Sequence, residues 1–169
     1  MPLMYELLKC WDDTEDRFII KGGVLKFTTD EVVILTGLSN TGAEIIWQNK
    51  PLGGVLSTEI KSDMAKLSRS TDDSTMIRTF IMFLVSNLFF PLNSHKIPRK
   101  LVSIVSSLKE FSSKNWAWTL REFLVNEFNR MAIKFATKKP LGYINDFLPL
   151  LLMSAVGSEN SRPGLRPIF

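Results

Sequence analysis

Apolar residues are densest between Met76 and Phe90, where they point in nearly every direction on a 3.6-residue helix. A helix that is apolar on all sides belongs inside a protein core or inside a membrane. The apolar run Phe80–Phe90 is interrupted by Ser86 and Asn87, and it is much shorter than the roughly 20 apolar residues that cross a bilayer. We therefore expect residues 76–90 to form a buried central helix.

The clearest amphipathic pattern covers residues 116–136. Its apolar side chains recur at helical spacing on one broad face, at Trp116, Leu120, Leu124, Phe128, Met131 and Phe135. Asn115 stands before them and suits the N-cap position. Trp118 and Ile133 project towards the polar side of this helix. We expect these two side chains either to meet another element or to form a surface patch that contacts a protein partner.

Near the N-terminus, short apolar segments flank the pair Gly22-Gly23, which predicts a β-hairpin over residues 17–27. The hairpin is followed by a capping-box signature, in which Thr28 and Glu31 satisfy free N–H groups at a helix start. This helix should end at Gly37, because glycine readily adopts the left-handed conformation of a helix C-terminus.

These patterns predict a mainly α, single-domain helical bundle around the buried central helix, with a small N-terminal β-hairpin. We expect residues 1–156 to form this domain. After Gly157 the sequence is polar and rich in proline and glycine, which predicts a flexible C-terminal tail over residues 157–169.

The length of 169 residues and the 45% content of hydrophobic residues agree with one folded domain. The net charge of +4 is unevenly distributed. Residues 1–56 contain five Lys or Arg against eight Asp or Glu, net −3, which leaves +7 for the rest of the chain. Ten of the 16 basic residues that follow residue 56 lie within 93–140. This asymmetry permits a nucleic-acid or acidic protein partner without requiring one.

The residues that usually carry catalysis or bind metals are scarce. His95 is the only histidine and Cys10 the only cysteine, so a zinc site of the usual Cys/His type cannot be assembled. The glycine pairs lack the spacing of phosphate-binding loops. We therefore expect no catalytic residue, no cofactor-binding residue and no metal ligand.

Three basic residues offer a candidate phosphate contact. Lys96, Arg99 and Lys100 lie around a predicted helix start, where backbone N–H groups also favour an anion. The competing interpretation is an ordinary solvated surface, because no aromatic platform for stacking bases accompanies them.

Several features bear on location. The single cysteine excludes an internal disulfide, and the N-terminus has no apolar segment typical of a signal peptide. Its acidic residues are atypical of a mitochondrial transit peptide. We expect an intracellular protein. The apolar segments 80–90 and 147–156 are each too short to span a membrane alone, so membrane association is the weaker alternative.

The order of four segments resembles a known family. A helix ending at Trp11 is followed by Phe27–Leu38, by Phe83–Pro91 and by Asn115–Ala117 at the head of an amphipathic helix. This order is similar to the plant mobile domain, a transposon-associated family sometimes labelled aminotransferase-like, over about residues 7–152. No catalytic residue is carried over from that family.

The resemblance implies a plant protein with a mostly helical fold and a nuclear role connected to transposable elements or their silencing. It also implies protein partners, such as phosphatase-like proteins or another family member. Pro149 and the tail after Gly157 depart from the family pattern. They suggest a truncated member whose apolar C-terminal face binds a partner.

The leading hypothesis is thus a non-enzymatic protein-interaction domain of transposon-derived origin. The first alternative is a nucleic-acid-binding module that uses the basic segment 93–140, and the second is a membrane-associated protein. The sequence does not indicate the oligomeric state.

Overall fold

The computed structural model describes residues 2–20, 23–46, 54–90 and 96–140. These residues form a mainly α fold with a small N-terminal antiparallel sheet, as predicted. The elements in chain order are α1 (Pro2–Lys9), β1 (Trp11–Asp12), β2 (Arg17–Ile20), β3 (Gly23–Lys26), α2 (Thr29–Thr36), β4 (Gly54–Leu56), α3 (Ser57–Lys66), α4 (Asp73–Leu84), a π-helical segment (Val85–Phe89), β5 (Lys96–Pro98), α5 (Arg99–Ser106), α6 (Leu108–Ser112) and α7 (Trp116–Ala136).

The N-terminal sheet is antiparallel in the order β1-β2-β3. The predicted hairpin is present, but Ile20 pairs with Gly23. The Gly22-Gly23 pattern had indicated that Gly23 is a turn residue. In the structure Gly23 is the first residue of β3. Strand β1 adds a third strand that the sequence pattern did not predict, with Trp11 opposite Phe18.

Helix α2 has both predicted ends. The backbone N–H of Glu31 donates to the Thr28 hydroxyl at 3.3 Å, and the N–H of Thr28 donates to the Glu31 carboxylate at 2.9 Å. At the other end Gly37 adopts a φ of 70° and donates its N–H to the carbonyl of Val33. Both ends are encoded locally, which explains why the sequence pattern predicted them correctly.

The sequence pattern predicted residues 76–90 as the buried centre of the fold. This prediction is wrong, because the buried centre is α7. Every residue of α4 is described, and none of them is buried. In α7 nine residues are buried, namely Trp116, Ala117, Thr119, Leu120, Phe123, Leu124, Val125, Phe128 and Met131. Helices α1 and α2 contact α7. The apolar pattern of residues 76–90 thus belongs to a helix that is only partly covered by other elements.

Only the end of the 76–90 segment enters the core. In the π-helical segment the N–H of Phe90 donates to the carbonyl of Val85 at 2.9 Å, five residues back. The wider turn accommodates one extra residue, so Phe90 is buried with Val85. The Phe90 ring lies 5.2 Å from that of Phe123 and 6.3 Å from that of Trp116, measured between centroids.

The N-terminus of α7 is held by a distant loop. Asn115 caps the helix by accepting the N–H of Trp118 at 2.9 Å, as predicted. Its side-chain amide donates to the carbonyl of Asn40 at 2.7 Å, and the N–H of Ala117 donates to the carbonyl of Ser39 at 3.0 Å. These bonds satisfy backbone groups that a helix end leaves free.

Part of the sequence analysis falls outside the described residues. The predicted tail 157–169, the apolar segment 147–156 and His95 all lie there. Within the described ranges, no helix combines the length and the apolar content that crossing a membrane requires.

Candidate interaction surface and cavity on helix α4

Helix α4 and the π-helical segment expose a row of apolar side chains. Met76, Ile77, Phe80 and Leu88 are between 38% and 49% exposed, and we call these four residues the α4 stripe. Met76, Phe80 and Leu88 follow a four-residue spacing whose remaining position is the partly exposed Leu84. Residues four apart share a helix face, so the stripe forms one surface.

The stripe is short and turns slowly around the helix axis, because residues four apart are about 40° out of register. Between Met76 and Leu88 a helix rises by about 18 Å, or roughly three turns. The wide π-helical turn directs Phe90 into the core and leaves Leu88 exposed. The stripe therefore has the length and the width of one short partner helix.

An acidic end flanks the stripe. Asp72 caps α4, and Asp73 is the first residue of the helix; both are exposed. The N–H of Thr75 donates to the Asp72 carboxylate at 2.9 Å. Hydrogen bonds from the hydroxyl and the backbone of Thr75 hold the pKa of Asp72 below its ordinary value. The N-terminal end of the stripe is thus negative at neutral pH.

The other side of α4 borders a cavity of about 300 Å³. Helices α3, α4 and α5 surround this space, and its apolar wall is formed by Ile60, Met82, Val102 and Val105. Ile60 and Val105 are buried, whereas Met82 and Val102 are partly buried. On a helix Met82 points away from Phe80, so the cavity and the stripe occupy opposite sides of α4.

Four polar residues also line the cavity, namely Asp63, Arg78, Thr79 and Ser106. Arg78 is partly buried, and its Nε donates to the carbonyl of Ser74 at 3.1 Å. Among the described residues no carboxylate lies within ion-pair distance of Arg78. Asp63 is exposed and pairs with Lys66 at 3.1 Å.

The two residues proposed from sequence for a partner contact do not form one patch. Ile133 is 60% exposed. Trp118 is partly buried. Fifteen positions separate them on α7, which is about 22 Å along the helix axis. Each could contact a partner only through a separate small area.

The basic residues proposed for a phosphate contact lie at the junction of β5 and α5. Lys96 pairs with Leu56 in the sheet, Arg99 is the first residue of α5, and Lys100 is exposed. Elsewhere in the basic segment, ion pairs join Lys114 to Glu110, Arg121 to Asp16 and Glu122, and Arg130 to Glu127. These pairs neutralise part of the charge that the sequence offered to nucleic acid.

The remaining candidate chemistry is dispersed. Cys10 is partly buried. Of the acidic residues near the N-terminus, Asp12 pairs with Arg17 and Asp16 with Arg121. The part of the chain that the structure describes contains no group of three His, Cys, Asp or Glu residues that could hold a metal ion.

Sequence reasoning did not identify the α4 stripe or the cavity as sites. The signal for the stripe was present in the all-round apolar pattern of residues 76–90, which we interpreted as burial. The signal for the cavity was Arg78, the one charged residue in the segment 76–90. Its position between α3 and α5 could not be obtained from a sequence pattern.

Comparison with protein families corrects the resemblance stated above. A family model described as a domain of unknown function (DUF8566) matches residues 1–151, and the plant mobile domain is not the family found. The plant, nuclear, transposon and phosphatase expectations rested on that resemblance and have lost their basis. The motifs that suggested it are short and hydrophobic, and the structure explains them as helix caps and core contacts. Comparisons with curated proteins and with solved structures find no match.

Proposed function

The chain belongs to DUF8566, a family of domains of unknown function, so we propose its function from its surface. We propose that it is a protein-interaction domain and that it binds an amphipathic helix of another protein along the α4 stripe. The observation that carries this proposal is the exposure of Met76, Ile77, Phe80 and Leu88 on one face.

The stripe differs from the other exposed apolar side chains. Single exposed apolar residues are ordinary on a protein surface. Ile34, Ile46 and Ile133 are of this kind, because each lies on a different element or loop. Ile19 and Val24 form a single exposed pair across β2 and β3. A continuous apolar row, in contrast, is typical of a binding surface. The stripe also contains a phenylalanine, an aromatic residue of the kind enriched in interfaces.

The shape and charge of the stripe indicate the chemistry of the partner. A surface one helix long and one helix wide fits a helix with apolar residues at positions i, i+4 and i+7. Asp72 and Asp73 make one end negative. We therefore expect Lys or Arg at the matching end of the partner helix, where opposite charges favour association and one orientation.

A display library tests the proposal with a defined probe. The library presents 16-residue peptides on an amphipathic helical template with randomised apolar and charged positions. Selection on the intact chain should enrich peptides with an apolar i, i+4, i+7 face and a basic end. The double variant Ile77→Ser/Phe80→Ser should bind these peptides at least about tenfold more weakly, the loss expected for an interface hot spot.

The matched control is Ile34→Ser, which changes an isoleucine that is 80% exposed on α2. The proposal is supported if the selected peptides bind Ile34→Ser as tightly as they bind the unchanged chain. No enrichment, or enriched peptides that bind the double variant equally well, contradicts it. A second explanation is that another copy of this chain covers the stripe, and sedimentation velocity of the chain alone tests it. A dimer that Phe80→Ser dissociates would support this explanation and would overturn the proposal of a different partner.

A further inference from the structure

The cavity between α3, α4 and α5 combines an apolar wall with one charged donor. Its volume of about 300 Å³ lies at the lower end of the range known for small-molecule sites, about 300 to 1,000 Å³. A space of this size suits a small molecule. It lies on the side of α4 opposite the stripe, so it does not depend on the proposed protein interaction.

Arg78 is the group that a ligand would recognise. Its guanidinium is partly buried, and only Nε has a described partner, the carbonyl of Ser74. The terminal N–H groups of a guanidinium are arranged to bind a carboxylate with two hydrogen bonds. An anion that enters the cavity therefore finds N–H donors that make no hydrogen bond to the described residues, beside an apolar wall.

The two hydroxyl groups of the cavity are already used as donors. Thr79 Oγ1 donates to the carbonyl of Thr75 at 2.9 Å, and Ser106 Oγ donates to the carbonyl of Val102 at 2.7 Å. What they can still offer is acceptor capacity. Their oxygens would suit an N–H or O–H group of a ligand, and the anionic part of the ligand would turn to Arg78.

We propose that this cavity binds a small apolar carboxylic acid, whose carboxylate pairs with Arg78 and whose hydrocarbon part lies against Ile60, Met82 and Val105. Asp63 also lines the cavity. Its carboxylate is exposed and pairs with Lys66, so Arg78 supplies the charge and the forked donors that select a carboxylate.

Methionine methyl NMR provides a direct test, because α4 contains a reporter on each side. Met82 lines the cavity and Met76 belongs to the exposed stripe. The probes are octanoate, 3-phenylpropanoate and the neutral analogue octan-1-ol. At least one of the two acids should shift the Met82 resonance and leave that of Met76 unchanged. It should also bind about tenfold more tightly than the alcohol, the difference expected for a charge-assisted hydrogen bond.

Three variants separate recognition of the charge from nonspecific apolar binding. Arg78→Gln should remove the preference for the acid over the alcohol, while Arg69→Gln, which changes an exposed arginine in the loop before α4, should retain it. Val102→Phe narrows the cavity without touching Arg78 and should weaken the binding of all three probes. The proposal is overturned if Met82 responds to neither acid, if Arg78→Gln keeps the preference, or if Val102→Phe binds the probes as well as the unchanged chain does.

Discussion

Trp11 and Asn129 are joined by a hydrogen bond across 118 positions of the sequence: the indole N–H of Trp11 donates to Oδ1 of Asn129 at 2.7 Å. The Trp11 ring also lies 4.8 Å from the ring of Phe18 and 5.2 Å from that of Phe128, measured between centroids. This contact fastens the N-terminal sheet to α7.

Replacement of Asn129 by leucine should destabilise the fold. The change leaves the partly buried indole N–H of Trp11 without its acceptor, which costs about 1 to 3 kcal/mol. Denaturant unfolding monitored by circular dichroism measures the loss. Asn126→Leu is the control, because the exposed Asn126 side chain bonds only the carbonyl of Glu122 in its own helix; it should change stability by less than about 0.5 kcal/mol. Equal losses in both variants would contradict the role given to the Trp11 bond.

Arg121 is expected to stabilise the same junction. Its Nε donates to the carbonyl of Phe27 at 2.9 Å and its Nη2 to Asp16 at 3.2 Å, with the side chain only 19% exposed. Arg121→Met removes both of these bonds together with the ion pair to Glu122, and it should cost about 2 to 3 kcal/mol in the free energy of unfolding. Lys66→Met breaks the exposed pair with Asp63 and should cost less than about 1 kcal/mol. Thermal unfolding of the two variants side by side distinguishes the two cases.

Gly42 permits its loop to approach the short segment that joins α6 to α7. Its φ is 105°, and a Cβ at this position would lie 2.2 Å from the carbonyl oxygen of Ser113. Gly42→Ala therefore adds a steric overlap to backbone strain and should cost about 3 kcal/mol. Gly37→Ala is the matched control, because Gly37 also has a positive φ but has open space around it; a loss of about 1 kcal/mol is expected. Similar losses would show that the Ser113 contact is unimportant.

The pairing of Asp12 with Arg17 should make stability depend on pH. Arg17 Nε donates to Asp12 at 2.9 Å, and this hydrogen bond lowers the pKa of the Asp12 carboxyl in the folded chain. A lowered pKa contributes stability that is present above the unfolded value of about 3.9 and is lost as the pH falls through the folded value. Asp12→Asn should therefore be less stable than the unchanged chain at pH 7, with a difference that shrinks as the pH falls below about 4.

The control for this titration is Asp13→Asn, which changes an exposed neighbour in the same turn. Urea unfolding between about pH 7 and pH 3 measures the stability of both variants, and at pH 7 the loss should be smaller for Asp13→Asn than for Asp12→Asn. A difference for Asp12→Asn that stays constant over this range would contradict the expected linkage between its ionisation and folding.

The position of the core predicts that two phenylalanine-to-alanine substitutions destabilise the fold by very different amounts. Phe123 on α7 is 1% exposed, whereas Phe80 on α4 is 49% exposed. Phe123→Ala should cost about 3 to 5 kcal/mol, because it removes buried surface and leaves a cavity. Phe80→Ala should cost less than about 1 kcal/mol, since surface substitutions rarely cost more. A large loss for Phe80→Ala in chemical denaturation would mean that α4 is covered in solution.

Much of the local structure could be predicted from the sequence. The capping box of Thr28 and Glu31, the end of α2 at Gly37 and the cap of α7 at Asn115 each depend on residues within about one turn. The hairpin was also predictable, although its register was not: Gly23 pairs with Ile20 inside the sheet. A pair of adjacent glycines does not say which of them occupies the turn.

The candidate sites were predicted less well than the elements. The apolar pattern of residues 76–90 led us to place the core at α4, although only Val85, Ser86 and Phe90 of that segment are buried. Trp118 and Ile133 were expected either to meet another element or to form a surface patch, and their contact with a partner stays a prediction. Amphipathic patterns describe one helix in isolation, so they cannot say how many neighbours cover each face.

The sequence by itself determined the helices, their caps, the hairpin and the apolar face of α7, because these depend on spacing and on interactions between near neighbours in the chain. Only the tertiary structure decided that α7 is buried, that Trp11 meets Asn129, and that α4 has a cavity on one side and an exposed stripe on the other. These relationships depend on which distant segments pack together. Burial is a property of the whole set of packed elements, and the same apolar helix is a core element or a binding surface according to what covers it.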